Sequence, residues 1–215
     1  MKSEAQQFWA PQAWVQGAWA YDVLLGVGAD GCWSQVQPSA TVEQQAGITR
    51  LDGPVLPGVV NAHSHAFQRA IAGLTERRSG GAGASDDFWS WRDRMYSAAN
   101  RISPDQLEAI ASQLYAELLA GGYTQVCEFH YLHNGLDGAP YANAAEMSLA
   151  LVRAAQRTGM GLTLLPTLYM RSGFTATGLR EDQRRFASTP ESIGRAIEAV
   201  QAQPHGEARI NVGVA

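Results

Sequence analysis

Lysine is nearly missing from this sequence. Lys2 is the only one in 215 residues, so arginine carries almost all the positive charge. Guanidinium groups favour planar, two-point contacts with carboxylates over simple solvation. A basic stripe is missing as well, and the formal charge of −4 argues against a nucleic-acid surface. Long apolar runs are absent: no stretch is long enough to span a membrane, and MKSEAQQFWAPQAW lacks the apolar core of a signal peptide. Cysteine is scarce. Cys32 and Cys127 form neither a close pair nor a CxxC, so a reduced, cytoplasmic protein is expected. What is present, 46% apolar and 17% charged residues, describes a globular chain able to bury a sizeable core.

The chain changes texture near Pro54. Up to residue 53, short apolar pieces alternate with turns. Tyr21–Leu25 and Cys32–Val36 read as strands joined through Asp30-Gly31, a hairpin signal, so residues 1–53 form a small β module. Over residues 54–215 strands alternate with helices. Val55–Val60 is a buried-strand candidate, restricted by Pro57. A Gly-rich insertion, Glu76 to Asp87, precedes the helical FWSWRDRMYSAANR. Ser103, Pro104 and Gln106 form a capping box before a helix with Leu107, Ile110, Ala111, Leu114 and Leu118 on one face. Strands at Tyr123–Phe129, Leu162–Leu165 and Arg209–Val214 alternate with helices from Glu146 and from Thr189. That order predicts an α/β fold of parallel strands with helices outside, either an open sheet or half of an eight-stranded barrel.

The chemistry-bearing feature is VVNAHSHAFQRA. Residues two apart on a strand point to one side, so His63 and His65 place their imidazoles together at a strand's C-terminal end. Active sites of α/β barrels lie there, and neutral imidazole is a good Zn²⁺ ligand. Spacing alone favours a pair of partly exposed loop histidines; the apolar strand before them, in a βα chain, brings the metal reading level.

LPGVVNAHSHAFQRAIAGL resembles the first barrel strand of the amidohydrolase superfamily, which ends in HxH. HSHAFQRAIAGL, FWSWRDRMY and EFHYLHN, in that order, are similar to the formimidoylglutamate deiminase family within it. The resemblance implies the N-terminal half of a metal-dependent hydrolase (β/α)8 TIM-like barrel, preceded by part of a β-sandwich. Family members are considerably longer, so the chain is expected to be an N-terminal portion. The later metal ligands and the acid/base Glu and His are expected beyond Ala215. The implied reaction is hydrolysis of N-formimino-L-glutamate to N-formyl-L-glutamate and ammonia, in the degradation of histidine. Other deaminases of the superfamily, acting on guanine, cytosine or chlorotriazines, and a non-enzymatic βα module are the alternatives. The resemblance implies no nucleic-acid or membrane partner, a small-molecule substrate and a homodimer for the whole protein.

Carried over residue by residue, His63 and His65 match zinc ligands, with iron as the other candidate metal. Gln68 matches a substrate-contacting glutamine; otherwise it is a solvated residue at a helix start. Arg92 matches a clamp on a substrate carboxylate, suited to two parallel hydrogen bonds; otherwise it is a surface arginine on an aromatic-rich helix. Tyr131 matches a tyrosine that hydrogen-bonds substrate at the barrel mouth; otherwise it is an ordinary half-buried tyrosine. Glu128, His130 and His133 lie near the same strand end. Two of them could orient a ligand by hydrogen bonding, although a structural or exposed role is the expectation for each, His133 above all. His205 is expected to be solvated, and the six tryptophans, including Trp89 and Trp91, to pack.

Overall fold

The computed structural model describes residues 6–41, 44, 47–75, 88–204 and 209–215. The insertion at 76–87 and His205 fall outside the described residues. Two compact units emerge, Met1–Gly58 and Val59–Ala215.

The first unit is a four-stranded sheet, ordered β3-β2-β1-β4, made of β1 (Gln6–Val15), β2 (Ala18–Val27), β3 (Trp33–Gln37) and β4 (Thr49–Arg50). The Asp30-Gly31 hairpin forms, with Gly28 N–H on Cys32 O at 2.8 Å and Gly31 at φ 71°. A second hairpin joins β1 to β2 through Gln16-Gly17, both at positive φ, the geometry that matches strand twist. Ala10, Ala13, Val23 and Leu25 form this unit's small core.

Val55 does not open the barrel strand. It bridges to Ala13, with Trp14 N–H on Val55 O and Val55 N–H on Gln12 O, both 2.9 Å. Pro57 has no N–H to donate, so the strand that carries the histidines starts after it.

The second unit is a parallel sheet, β5-β6-β7-β8, of β5 (Val59–Ser64), β6 (Tyr123–His130), β7 (Gly161–Pro166) and β8 (Ile210–Val212). Helices fill the crossovers: α1 (Phe88–Ala99) and α2 (Pro104–Ala120) after β5, α3 (Glu146–Thr158) after β6 and α4 (Pro190–Gln201) after β7. Two of the predicted helix starts carry side-chain caps, whereas α3, from Glu146, has none. Ser103 accepts from Gln106 N–H while Gln106 Oε1 accepts from Ser103 N–H, and Thr189 and Ser192 repeat the exchange. The buried stripe of α2 is Leu107, Ala111 and Tyr115, one step round from the predicted face. No helix among the described residues is long and apolar enough to cross a membrane.

β5 departs from the usual burial of parallel strands. Val59 and Val60, consecutive and therefore on opposite faces, remain 50% and 52% exposed. Fully buried Arg185 ties the site end of this unit together through carbonyls. Its guanidinium donates to Asn134 O, Ala99 O and the Tyr141 hydroxyl.

Candidate active site

β5 ends in His63-Ser64-His65, and its pairing with β6 slips between Asn61 and Ser64, an irregularity of the kind that re-aims side chains. The two imidazoles converge: His63 Nε2 and His65 Nε2 are 2.9 Å apart, with ring centroids 4.7 Å apart and planes at 86°. His65 Nδ1 lies 2.9 Å from Phe129 O. A carbonyl only accepts, so His65 carries its proton on Nδ1 and offers a lone pair at Nε2. Burial, opposed by that backbone bond and assisted by the neighbouring His63, lowers the pKa of His65 and keeps it neutral. Neutral imidazole is the form a metal binds.

Beyond the pair runs a wall of rings. Phe129 packs against both histidines, and Tyr131 stands 5.2 Å from the His65 ring. Gln68 sits in a short 3₁₀ helix, Ala66–Ile71, and its Nε2 donates to the Tyr131 hydroxyl at 3.2 Å. Arg69, next in that helix, pairs with Glu117 of α2 through two bonds of 2.7 and 2.8 Å, which hold the Glu117 carboxyl at about 2. Burial raises the Tyr131 phenol well above its ordinary range, so it stays a hydroxyl.

Arg92 projects from α1 with its guanidinium over the Trp89 ring at 4.4 Å and 5.7 Å from the Tyr96 ring. Its buried Nε has no hydrogen-bond partner among the described residues. Tyr96, Tyr169 and Tyr131 link Arg92 to the histidine end. Tyr131 and Tyr169 lie 5.9 Å apart, and the Gln183 amide donates to the Tyr96 and Tyr169 hydroxyls at 3.0 and 3.3 Å. The Tyr169 phenol is pushed up to about 12, chiefly by burial and by Tyr96, with Arg92 pulling the other way. The structure therefore brings His63, His65, Gln68 and Tyr131 into direct contact and joins Arg92 to them through tyrosines.

Tyr96, Tyr169 and Gln183 escaped the sequence reading. Tyr169 carried a usable signal, its place just past the C-terminal end of β7; the other two converge only through tertiary packing.

Glu128, His130 and His133 are buried away from this opening. Alternation along β6 sends Phe129 towards the histidines and its neighbours Glu128 and His130 into the helix layer. His133 Nε2 bonds Thr167 O at 3.0 Å, and burial lowers the pKa of both His130 and His133. Glu128 Oε1 accepts from Ala66 N–H at 2.5 Å, and burial raises its carboxyl to about 7 against the opposing bonds from Ala66 and Ser64.

Among the described residues no group of three or more His, Cys, Asp or Glu is placed to hold a metal. The His63–His65 pair supplies two suitable nitrogens. Two ligand nitrogens on one tetrahedral zinc stand about 3.3 Å apart, so the observed 2.9 Å needs only a small ring adjustment. The donor set fits.

The Amidohydrolase family model matches residues 55–208. The chain is 46% identical over 193 residues to a formimidoylglutamate deiminase of Pseudomonas aeruginosa, covering 90% of this chain and 41% of that protein. The crystal structure of an amidohydrolase from Brucella melitensis superposes with a TM-score of 0.86 at 40% identity, over 97% of this chain and 45% of that one. An adenosine deaminase from Xanthomonas campestris, solved with bound zinc, shares the fold at a TM-score of 0.60 and 16% identity, over 97% and 42% of the two chains. The chain thus spans less than half the length of these relatives. Four parallel strands with helices in their crossovers, the histidine pair ending the first, are the N-terminal part of a TIM-barrel-type fold, and the chain belongs to the amidohydrolase family.

Proposed function

We propose that the whole protein is a metal-dependent deiminase that hydrolyses N-formimino-L-glutamate to N-formyl-L-glutamate and ammonia. The observation that carries this reading is the convergence of two neutral-capable imidazoles beside the bonded pair Gln68–Tyr131. The similarity to a formimidoylglutamate deiminase supports the choice of substrate.

His63 and His65 would hold a divalent ion, zinc first and iron as the alternative, which supplies Lewis-acid activation of water near neutral pH. The remaining chemistry belongs to side chains. Arg92 carries an Nε–H with no partner among the described residues, and its guanidinium would give a carboxylate two parallel bonds. Tyr131 accepts from Gln68, which leaves its own proton free to donate to substrate, and burial keeps that proton in place. Phe129 and the tyrosines line that end of the site. Proton transfer is assigned to a Glu and a His beyond Ala215. We further propose a cytoplasmic homodimer acting on this small molecule.

A panel of formiminoglutamate, guanine, 8-oxoguanine and cytosine, assayed for ammonia with the full-length protein, tests the reading. Turnover of formiminoglutamate is expected, with none from residues 1–215 alone. Turnover of a purine or cytosine without formiminoglutamate would overturn it.

A further inference from the structure

Two consecutive residues of β6 hold the turn that follows β5. Phe129 O takes the Nδ1–H of His65 at 2.9 Å, and Glu128 Oε1 takes the backbone N–H of Ala66 at 2.5 Å. Glu128 therefore grips the residue that follows His65, while Phe129 holds His65 itself.

That arrangement is unfavourable as packing. Glu128 is 1% exposed, and its second oxygen, Oε2, has no hydrogen-bond partner among the described residues. Burying an incompletely bonded carboxyl is costly, and an apolar side chain would fill a helix–sheet layer without that cost. Val126, on the same face of β6, does so. Glu128 differs in reaching the backbone just past Ser64, the last residue of β5 and its own ladder partner. Beyond that pair the strand has ended, and a side chain supplies the hold.

We propose that Glu128 is a positioning residue for the metal pair: by gripping the Ala66 N–H it sets the backbone that leaves His65, so that His65 Nε2 meets His63 Nε2. The inference rests on the metal-binding reading of the two histidines. Glu128 touches no substrate; it acts through His65.

Competition against a chromophoric zinc chelator, using full-length protein stripped of metal, tests the proposal. Groups that orient a ligand from behind are worth about 10–100-fold in metal affinity, and Glu128→Leu is expected to lose that much. Glu128→Gln keeps an oxygen for Ala66 N–H and should restore affinity to within a few-fold of wild type. Tyr115→Phe removes a buried hydroxyl with no partner among the described residues from the same layer and should leave zinc affinity unchanged. Affinities are compared per folded molecule, so a loss of stability alone does not register. Tight zinc binding by wild type, with equal affinity in Glu128→Leu, overturns the role of Glu128 while the metal site stands. No zinc uptake by wild type overturns the metal reading, and this proposal with it.

Discussion

Arg92 and Glu128 show how differently one buried polar atom can be used. The free Nε of Arg92 faces a wall of rings. Stacking on Trp89 orients the guanidinium while leaving its edge available. Arg92→Lys keeps the charge but loses both the plane and the two-point grip. It should raise the KM for a carboxylated substrate by about tenfold or more, with a smaller effect on kcat, as read from steady-state kinetics. An unchanged KM would remove Arg92 from substrate binding. Glu128 couples the fold to pH. Its folded carboxyl keeps a proton to about pH 7, against 4.5 ordinarily, because burial penalises the charge. Between those values the folded chain binds more protons than the unfolded one, so this contribution is complete below about 4.5 and is lost as pH rises through 7. The window corresponds to roughly 3 kcal/mol. Denaturant midpoints at pH 5 and pH 8 should converge by about that amount in Glu128→Gln relative to wild type; an unaltered pH dependence would contradict the assignment.

At the scale of elements, the helix starts were the most legible feature. Ser103-Pro104-Asp105-Gln106 states its capping chemistry locally, and the structure forms both reciprocal bonds. Ser103→Ala should cost about 1 kcal/mol of stability, measurable as a lowered denaturation midpoint; no change would mean that packing alone starts α2. Strands with strong apolar character, such as Tyr123–His130 and Gly161–Pro166, were equally readable. β1 was not, because Gln6–Val15 mixes glutamines with Pro11 and draws its pairing from β2 through an inconspicuous Gln-Gly turn. Val55 misled for a related reason: its apolar neighbours suggest the barrel strand, but its partner is Ala13. The position of His63 and His65 was legible, since two-residue spacing is a local property. The tyrosine wall was not, since Tyr96, Tyr169 and Gln183 come from separate elements and meet only after packing.

For the whole molecule, the relatives extend well beyond the part this chain covers. Val59 and Val60 are half-exposed on the two faces of β5, where parallel strands are ordinarily covered. The site has the same character: two imidazoles aimed at one point, an arginine stacked on a tryptophan and a hydroxyl–amide pair. Everything proposed for the activity depends on that point holding a metal. The most direct measurement is the metal content per chain of the purified full-length protein, for wild type and for His63→Ala and His65→Ala. The account predicts close to one equivalent of zinc or iron in wild type and a severe loss in either variant, together with loss of ammonia release from formiminoglutamate. Full metal content and full activity in both variants would contradict it.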